Sequence, residues 1–147
     1  MEIAKATDAD LPALCELLAA LFSQEAEFTP DAQLQAAGLR LILEDEKVGQ
    51  ILVLRDRSEV LGMVSLLFHP STALGGRVAV LEDFVVRPDC RARGLGSRLL
   101  EAAVELVRAE GCKRVTLLTD HDNAAAQRLY ARHGFAKSTM MTMRLSV

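Results

Sequence analysis

The first part of the chain carries its apolar residues at the three- and four-residue spacing of an amphipathic helix. Thr7 and Asp8 are suitable N-cap residues for this helix, which the pattern predicts to end near Phe22. Asp31 is a suitable cap for a second helix that continues to about Leu43. The apolar face of the first helix consists of Leu11, Leu14, Cys15, Leu18, Leu21 and Phe22.

Shorter apolar runs predict the strands of a sheet. Residues 2–6 fit a short edge strand. Residues 50–55 and 60–68 predict the two strands of a hairpin around a polar turn, and residues 69–76, with a proline and two glycines, predict a loop. The β-branched run at residues 77–86 predicts a third strand that continues the antiparallel order.

The next two elements predict a crossover connection. Residues 94–110 have the spacing of a helix with one buried stripe, and Gly111 is a suitable stop. Residues 114–119 form an apolar run that predicts a buried strand. We expect this strand to lie parallel to residues 77–86, because the helix between them permits a right-handed crossover.

The end of the chain predicts a further helix and further strand. Residues 120–123 supply caps for a helix that we expect to end at residues 133–134. Apolar and polar side chains then alternate within residues 135–147, which predicts one or two half-buried strands. Together the elements predict the α/β class, a mixed central sheet with helices on both faces.

Composition limits the classes of protein to consider. The chain has 147 residues, of which 50% are hydrophobic, so we expect one domain with a substantial core over residues 1–147. A net charge of -3 argues against nucleic-acid binding through overall positive charge. Cys15, Cys90 and Cys112 lack metal-ligand spacing, so we expect reduced thiols, a cytoplasmic location and no metal. No signal-peptide region or membrane-spanning apolar run is present, and we expect no membrane partner.

A strand, a basic turn with glycines and a helix start follow one another within residues 78–100. Arg91, Arg93, Gly94 and Gly96 belong to this turn. Glycines let the backbone approach a phosphate closely, and the N–H groups and dipole of a first helical turn favour an anion. The sequence therefore predicts a phosphate site at the turn.

Two motifs resemble those of the GCN5-related N-acetyltransferase (GNAT) family. Arg91-x-x-Gly94-x-Gly96 after a strand resembles the acetyl-CoA signature, and residues 122–135 resemble the family's Asn…Ala…Leu-Tyr…Gly-Phe motif. The motifs occur in order, with one helix and one strand between them, and the resemblance is best over residues 78–135. It implies the GNAT acyl-CoA N-acyltransferase fold, with acetyl-CoA as co-substrate and an acetyl group moved to a primary amine.

The resemblance also implies which residues would bind acetyl-CoA. The thioester carbonyl would meet backbone N–H near Val85, because in this family the strand splays from its neighbour at residues 114–119. Asn123 is implied as a further cofactor contact, although a helix cap explains it equally well. The full implied set is Phe84, Val85, Val86, Arg91, Ala92, Arg93, Gly94, Leu95, Gly96, Ser97 and Asn123.

Tyr130 is the candidate general acid. It is the only tyrosine in the chain, and it falls where the family motif places this role. Its phenol would donate a proton to the departing CoA thiolate. The alternative is a core aromatic, because Tyr130 also lies at helical spacing with Ala126 and Leu129.

Glu82 is the candidate general base, needed because an alkyl amine must lose a proton before it attacks. Glu82 interrupts an apolar strand, where a carboxylate is out of place unless it faces a wet cleft. Alternation puts Glu82 and Asp83 on opposite faces, unless a bulge re-aims the strand. A carboxylate that pairs with an arginine or caps a loop is the alternative.

The acceptor is the least specified part of the reaction. The Leu-Glu-Asp-Phe segment at residues 81–84 resembles diamine and glucosamine-phosphate acetyltransferases, which implies a small amine such as a polyamine, amino acid or amino sugar. The acidic loop with Glu25 and Glu27 suits a cationic acceptor or is an ordinary solvated connection. Direct transfer in a ternary complex and a homodimer are further family expectations.

Three other functions remain to be tested. A non-catalytic acyl-CoA sensor on the same fold would keep the same cofactor residues. A protein N-acetyltransferase would differ only in its acceptor. A dinucleotide-binding oxidoreductase would need a third glycine, where Leu99 stands, and parallel strands before residue 78.

Overall fold

A five-stranded mixed sheet forms the centre of the fold, and its strands lie in chain order. The structure, a computed structural model, describes residues 1–25 and 27–147. The first four strands pair antiparallel, and the fifth lies parallel to the fourth. This order argues against the dinucleotide-binding alternative, which needs repeated parallel units. The strands are β1 (Glu2–Lys5), β2 (Gly49–Asp56), β3 (Glu59–Ser71), β4 (Gly76–Val86) and β5 (Val115–Leu117).

Helices cover both faces of the sheet, which confirms the predicted architecture. On one face the first two helices bury Leu14 and Leu39 against Val85. On the other face the third helix buries Leu99 against Leu66. Within the described residues, no helix is both long enough and apolar enough to cross a bilayer. The helices are α1 (Leu11–Phe22), α2 (Ala32–Leu43), α3 (Leu95–Ala109) and α4 (Ala124–Arg132).

The predicted cap of α2 is confirmed. The Asp31 carboxylate accepts hydrogen bonds from the backbone N–H of Gln33, at 3.0 Å, and of Leu34, at 3.1 Å. These two donors have no partner inside the helix, so the aspartate satisfies them and fixes the start of α2. The polar segment between α1 and α2 is thereby held between two well-defined helix ends.

The predicted loop at residues 69–76 is partly wrong, because β3 extends to Ser71. Its pairing with β4 continues through His69↔Val78 and Pro70↔Arg77. Pro70 suggested a loop because it cannot donate to a ladder, but a proline is tolerated near the end of a strand. The two strands therefore form a longer hairpin than the sequence predicted.

The predicted strands within residues 135–147 are also wrong. Residues 136–147 form neither strand nor helix. Met141 and Met143, which were expected to be half buried, are 83% and 87% exposed. A strand needs a neighbour for its backbone N–H and C=O groups, and no pairing joins this segment to β5. An alternating pattern of apolar and polar residues is therefore not sufficient to form a strand here.

A buried ion pair joins the start of α1 to β2. Both guanidinium Nη atoms of Arg55 donate to the carboxylate of Asp10, at 2.9 and 3.0 Å, and Asp10 is only 6% exposed. Burial raises the pKa of Asp10, but hydrogen bonds from Arg55 and from the Thr7 backbone outweigh it, so this pKa lies below its ordinary value. The pair therefore stabilises the fold above the unfolded pKa of the carboxyl, and this contribution is lost as the pH falls through the native pKa.

We expect Asp10→Asn to lower the free energy of unfolding by about 2–3 kcal/mol near neutral pH, because Arg55 loses its buried anion. This loss is smaller than is usual for a buried charge left without its partner, because Glu2 lies 3.9 Å from the same guanidinium and remains as a second anion. Urea unfolding followed by circular dichroism, near neutral pH and below about pH 4, measures it. The difference from wild type should shrink in acid, where wild-type Asp10 also becomes protonated. The exposed Asp8→Asn is the control, expected within about 0.5 kcal/mol of wild type. Equal stability of Asp10→Asn and wild type at neutral pH would contradict the prediction.

Candidate active site

The turn between β4 and α3 has the backbone shape of an anion site. Ala92 and Gly94 adopt left-handed conformations, with φ of 63° and 72°. Gly94 is the N-cap of α3, and a Cβ built on it would meet nothing within 4 Å. The first N–H groups of α3 lack partners inside the helix, so they and the helix dipole are available to an anion in this open space. The residues present therefore fit a diphosphate group.

The side chains of the predicted turn residues make different contacts. Arg93 is exposed. Arg91 folds back, and its guanidinium donates to the carbonyl of Val86 at 3.3 Å and to the side-chain oxygen of Gln24 at 3.4 Å. Leu95 is only 5% exposed. Because its side chain belongs to the core, only the Leu95 backbone is suited to a ligand.

Ser97, in the first turn of α3, has a partner that the sequence analysis did not find. Its hydroxyl lies 3.2 Å from Nε2 of His133, the residue that follows α4. His133 had no predicted role. The contact joins the start of α3 to the end of α4.

β4 and β5 part halfway along β4, as the resemblance implied. Their pairing begins at Ala79↔Val115 and ends at Leu81↔Leu117. Within the described chain, β4 from residue 82 to its end has β3 on one side and no strand on the other. This gap in the sheet begins at residue 82 and extends along β4 towards the anion turn.

Tyr130 lies at this gap, between two aromatic rings. Its ring centroid is 6.0 Å from that of Phe84 on β4 and 5.9 Å from that of Phe135. Burial and the nearby charge of Glu25 raise the pKa of Tyr130 to about 12. The phenol is therefore protonated at neutral pH and can donate a proton.

Gly96 shows how closely the three elements around the gap approach one another. A Cβ built on Gly96 would lie 3.6 Å from a side-chain carbon of Leu129 and 3.6 Å from the ring of Phe84. The start of α3, the end of β4 and the middle of α4 therefore meet at one place. The structure thus brings together Gly96, Phe84 and Tyr130, which are distant in the sequence.

A β-bulge interrupts β4 at the predicted base. Asp83 and Phe84 both stand opposite Val64, between the pairs Ser65↔Glu82 and Met63↔Val85. Asp83 has a φ of 49°, in the left-handed region. The extra residue ends the simple alternation that would have placed neighbouring carboxylates on opposite faces.

The two carboxylates at the bulge have different surroundings. Glu82 is exposed and Asp83 is half buried. The buried hydroxyl of Ser65 donates to Asp83 at 3.5 Å, a long hydrogen bond. Burial and the charge of Glu82 raise the pKa of Asp83 to about 6, against the opposing effect of Ser65. The sequence analysis did not assign Asp83, and Glu82 as base stays a prediction.

Glu25 brings a third carboxylate from the segment after α1. Burial, then the charges of Asp120 and Asp83, raise the pKa of Glu25 above its ordinary value. Because the charge of Glu25 also contributes to the raised pKa of Tyr130, this carboxylate lies in the surroundings of the phenol. The predicted acidic loop thus contributes to the site, although its residue Ala26 lies outside the described residues.

The C-terminal segment contacts the same loop. Arg144 pairs with the carboxylate of Glu27. The Arg144 guanidinium also lies 5.7 Å from the ring centroid of Phe28. These contacts place residue 144 next to the loop that carries Glu25.

Asn123 caps α4, the alternative that the sequence left open. Its side-chain oxygen accepts a hydrogen bond from the backbone N–H of Ala126 at 3.2 Å. This contact fixes the start of the helix that carries Tyr130. A cofactor contact for Asn123 stays a prediction.

Comparisons with known proteins agree with this arrangement. Residues 11–135 match the model of the Acetyltransferase (GNAT) family. The chain is 34% identical over 142 residues to the uncharacterized N-acetyltransferase YhfO of Bacillus subtilis (strain 168), covering 95% of this chain and 92% of that protein. It is 30% identical over 137 residues to the aminoalkylphosphonate N-acetyltransferase of Salmonella typhimurium (strain LT2), covering 93% and 86%.

A solved structure shows the same fold. The GCN5-related N-acetyltransferase from Ralstonia eutropha JMP134 superimposes with a TM-score of 0.76 and 25% identity, covering 98% of this chain and 97% of that one. The chain belongs to the GNAT family. It is therefore an acetyltransferase, and the family uses acetyl-CoA as co-substrate.

Proposed function

We propose that this protein moves the acetyl group of acetyl-CoA to the primary amine of a small molecule, by direct transfer in a ternary complex. The main support is that Phe84, at the gap between β4 and β5, is approached both by Gly96, two residues after the open turn at Gly94, and by the ring of the protonated Tyr130. The turn suits the CoA diphosphate, and the phenol suits a leaving thiolate.

Direct transfer is supported by the surroundings of two of the three cysteines. Burial raises the pKa of Cys15 and of Cys112, so neither thiol is a ready nucleophile for an acetyl-enzyme intermediate. In the proposed step, Tyr130 gives its proton to the CoA sulfur. The backbone N–H near Val85 is the proposed donor to the carbonyl oxygen that gains charge.

A cationic amine is the acceptor that the electrostatics support. Burial, then the charges of Asp120 and Asp83, raise the pKa of Glu25, so these carboxylates contribute to one region of negative charge. Negative charges favour an ammonium group and disfavour an anion. The Salmonella relative is named for aminoalkylphosphonates, whose phosphonate is anionic, so this class is the competing acceptor.

The proposal predicts amine-dependent release of CoA thiol from acetyl-CoA. The panel should contain polyamines, amino acids, amino sugars, an aminoalkylphosphonate and a lysine peptide, with a reaction lacking amine as control. We expect fastest release with a polyamine. Fastest release with the peptide would instead indicate a protein acetyltransferase. Tight acetyl-CoA binding by calorimetry, without release for any amine, would favour the sensor alternative.

Assembly and location follow only from family and composition. A homodimer and a cytoplasmic site stay predictions. Sedimentation of the purified protein would test the first of them.

A further inference from the structure

Asp83 is the one residue of β4 that pairing with β3 does not need. Without it, Leu81 and Phe84, which pack on the α3 face, would alternate regularly with Glu82 and Val85. The insertion also forces a left-handed conformation, which is unfavourable for a residue with a Cβ. Bulges of this kind next to active sites re-aim a side chain.

The insertion adds its side chain in the stretch of β4 that has no β5 residue beside it, at the gap. Its carboxylate meets the hydroxyl of Ser65, which is fully buried at 0% exposure. The next residue, Phe84, contacts the ring of Tyr130. Asp83 on β4 and the candidate proton donor on α4 therefore both belong to elements that border the gap between β4 and β5.

The charged groups around Asp83 are carboxylates. Burial and then the charge of Glu82, on the same strand, raise the pKa of Asp83, and after burial the charge of Asp83 contributes to the raised pKa of Glu25, in the segment after α1. Around Glu25 lie Asp120, Glu27 and Arg144, and Arg144 is the one cation among them. A cationic acceptor would therefore enter a region of negative charge.

We propose that Asp83 takes the proton of the acceptor ammonium, and that Glu82 acts on Asp83 through its charge. This role rests on the proposed function. One N–H bond of the ammonium breaks and its proton passes to the Asp83 carboxylate. The freed nitrogen lone pair forms the C–N bond to the thioester carbon.

The remaining bonds then balance. The C–S bond breaks, and the sulfur leaves with the electron pair and takes the proton of Tyr130. The nitrogen loses its second proton to Tyr130, which restores the phenol. Asp83 releases its proton to solvent, so one acetamide, one CoA thiol and one proton are formed.

The pH dependence follows from this role. With a pKa of about 6, Asp83 is ionised at neutral pH and becomes protonated below about pH 6. We therefore expect kcat/KM to fall about tenfold per pH unit below that value, because the protonated carboxyl cannot accept the proton. Glu25, which also titrates above its ordinary value, is the other group to test in this range.

Asp83→Asn is the direct test, because asparagine tolerates the left-handed conformation of the bulge. We expect kcat with the best amine of the panel to fall about 100-fold or more at about pH 7.5, with KM for acetyl-CoA changed less than about threefold. The decline of kcat/KM below about pH 6, which is the acid limb of the pH profile, should disappear. The control is Asp56→Asn, an exposed aspartate at the far end of β2. It should show the wild-type profile, and Glu25→Gln should keep the limb.

Two further variants test the role even if Asp83→Asn does not fold. Ser65→Ala removes a hydrogen bond that lowers the pKa of Asp83, so the acid limb should move to higher pH. Glu82→Gln removes a charge that raises it, so the limb should move to lower pH. Opposite shifts support Asp83 as the titrating base.

The outcomes separate the two proposals. If the wild-type protein shows no amine-dependent thiol release, both the proposed function and the role of Asp83 are overturned. An active wild type with an unchanged limb in Asp83→Asn overturns only the role of Asp83. Loss of the limb in Glu82→Gln also overturns it and makes Glu82 the base.

Discussion

Tyr130→Phe lowers kcat for amine acetylation by about 100- to 1000-fold, while acetyl-CoA binds with nearly wild-type affinity. The phenylalanine ring keeps the contacts with Phe84 and Phe135, so packing at the gap is retained. Only the proton donor to the leaving sulfur is lost. Initial rates of thiol release with the best amine measure the first effect, and calorimetry measures the second.

A matched variant separates proton donation from packing. Phe135→Leu removes one ring contact of Tyr130 but leaves the phenol, so we expect lower stability and less than about a tenfold loss of kcat. Because the pKa of Tyr130 is about 12, wild-type turnover should not decline through loss of this proton below about pH 11. Unchanged turnover of Tyr130→Phe across the pH range would remove the residue from its proposed role.

Gly94→Glu weakens acetyl-CoA binding by about 100-fold or more, the second large effect that we expect. Glutamate is strained at a φ of 72°, and its side chain occupies the open space above the turn. Its charge also opposes an anion at the N-terminus of α3. Calorimetry with acetyl-CoA measures the affinity.

Gly75 offers a matched control for this variant. It has a φ of 68°, and a Cβ built on it would also meet nothing within 4 Å, but it lies in the turn between β3 and β4. Gly75→Glu therefore adds the same charge and similar strain away from the anion turn. We expect wild-type affinity for the control, and equal affinity in Gly94→Glu would move the phosphate site elsewhere.

The parts of the fold that depend on local spacing were predicted well. Asp31 caps α2 as expected, and α3 occupies residues 95–109 against a predicted range of 94–110. The turn between β4 and α3 was also predicted, because glycines are favoured where the chain turns between a strand and a helix. These features follow from neighbours a few residues apart.

The parallel pairing of β4 and β5 was predicted, but other features that depend on pairing between distant segments were not. Residues 136–147 have the alternation of a strand but no neighbouring backbone. The bulge at Asp83 is visible only in the register of β3 and β4, where Val64 faces two residues. Ala79 and Leu81 share a face with Phe84, so the regular alternation of β4 is broken between residues 81 and 84. Glu25 next to Asp83 likewise joins segments far apart in the chain.

Because of the extra residue, β4 is one residue longer than the packing of its side chains in the core requires. A chain that lacked Asp83 would still place Leu81, Phe84 and Val85 against their present neighbours. The length of β4 can therefore change by one residue here without repacking either face of the sheet. An alignment that forbids a gap at this position would match Asp83 with a residue at a different place in the sheet, and would hide whether the proposed base is present.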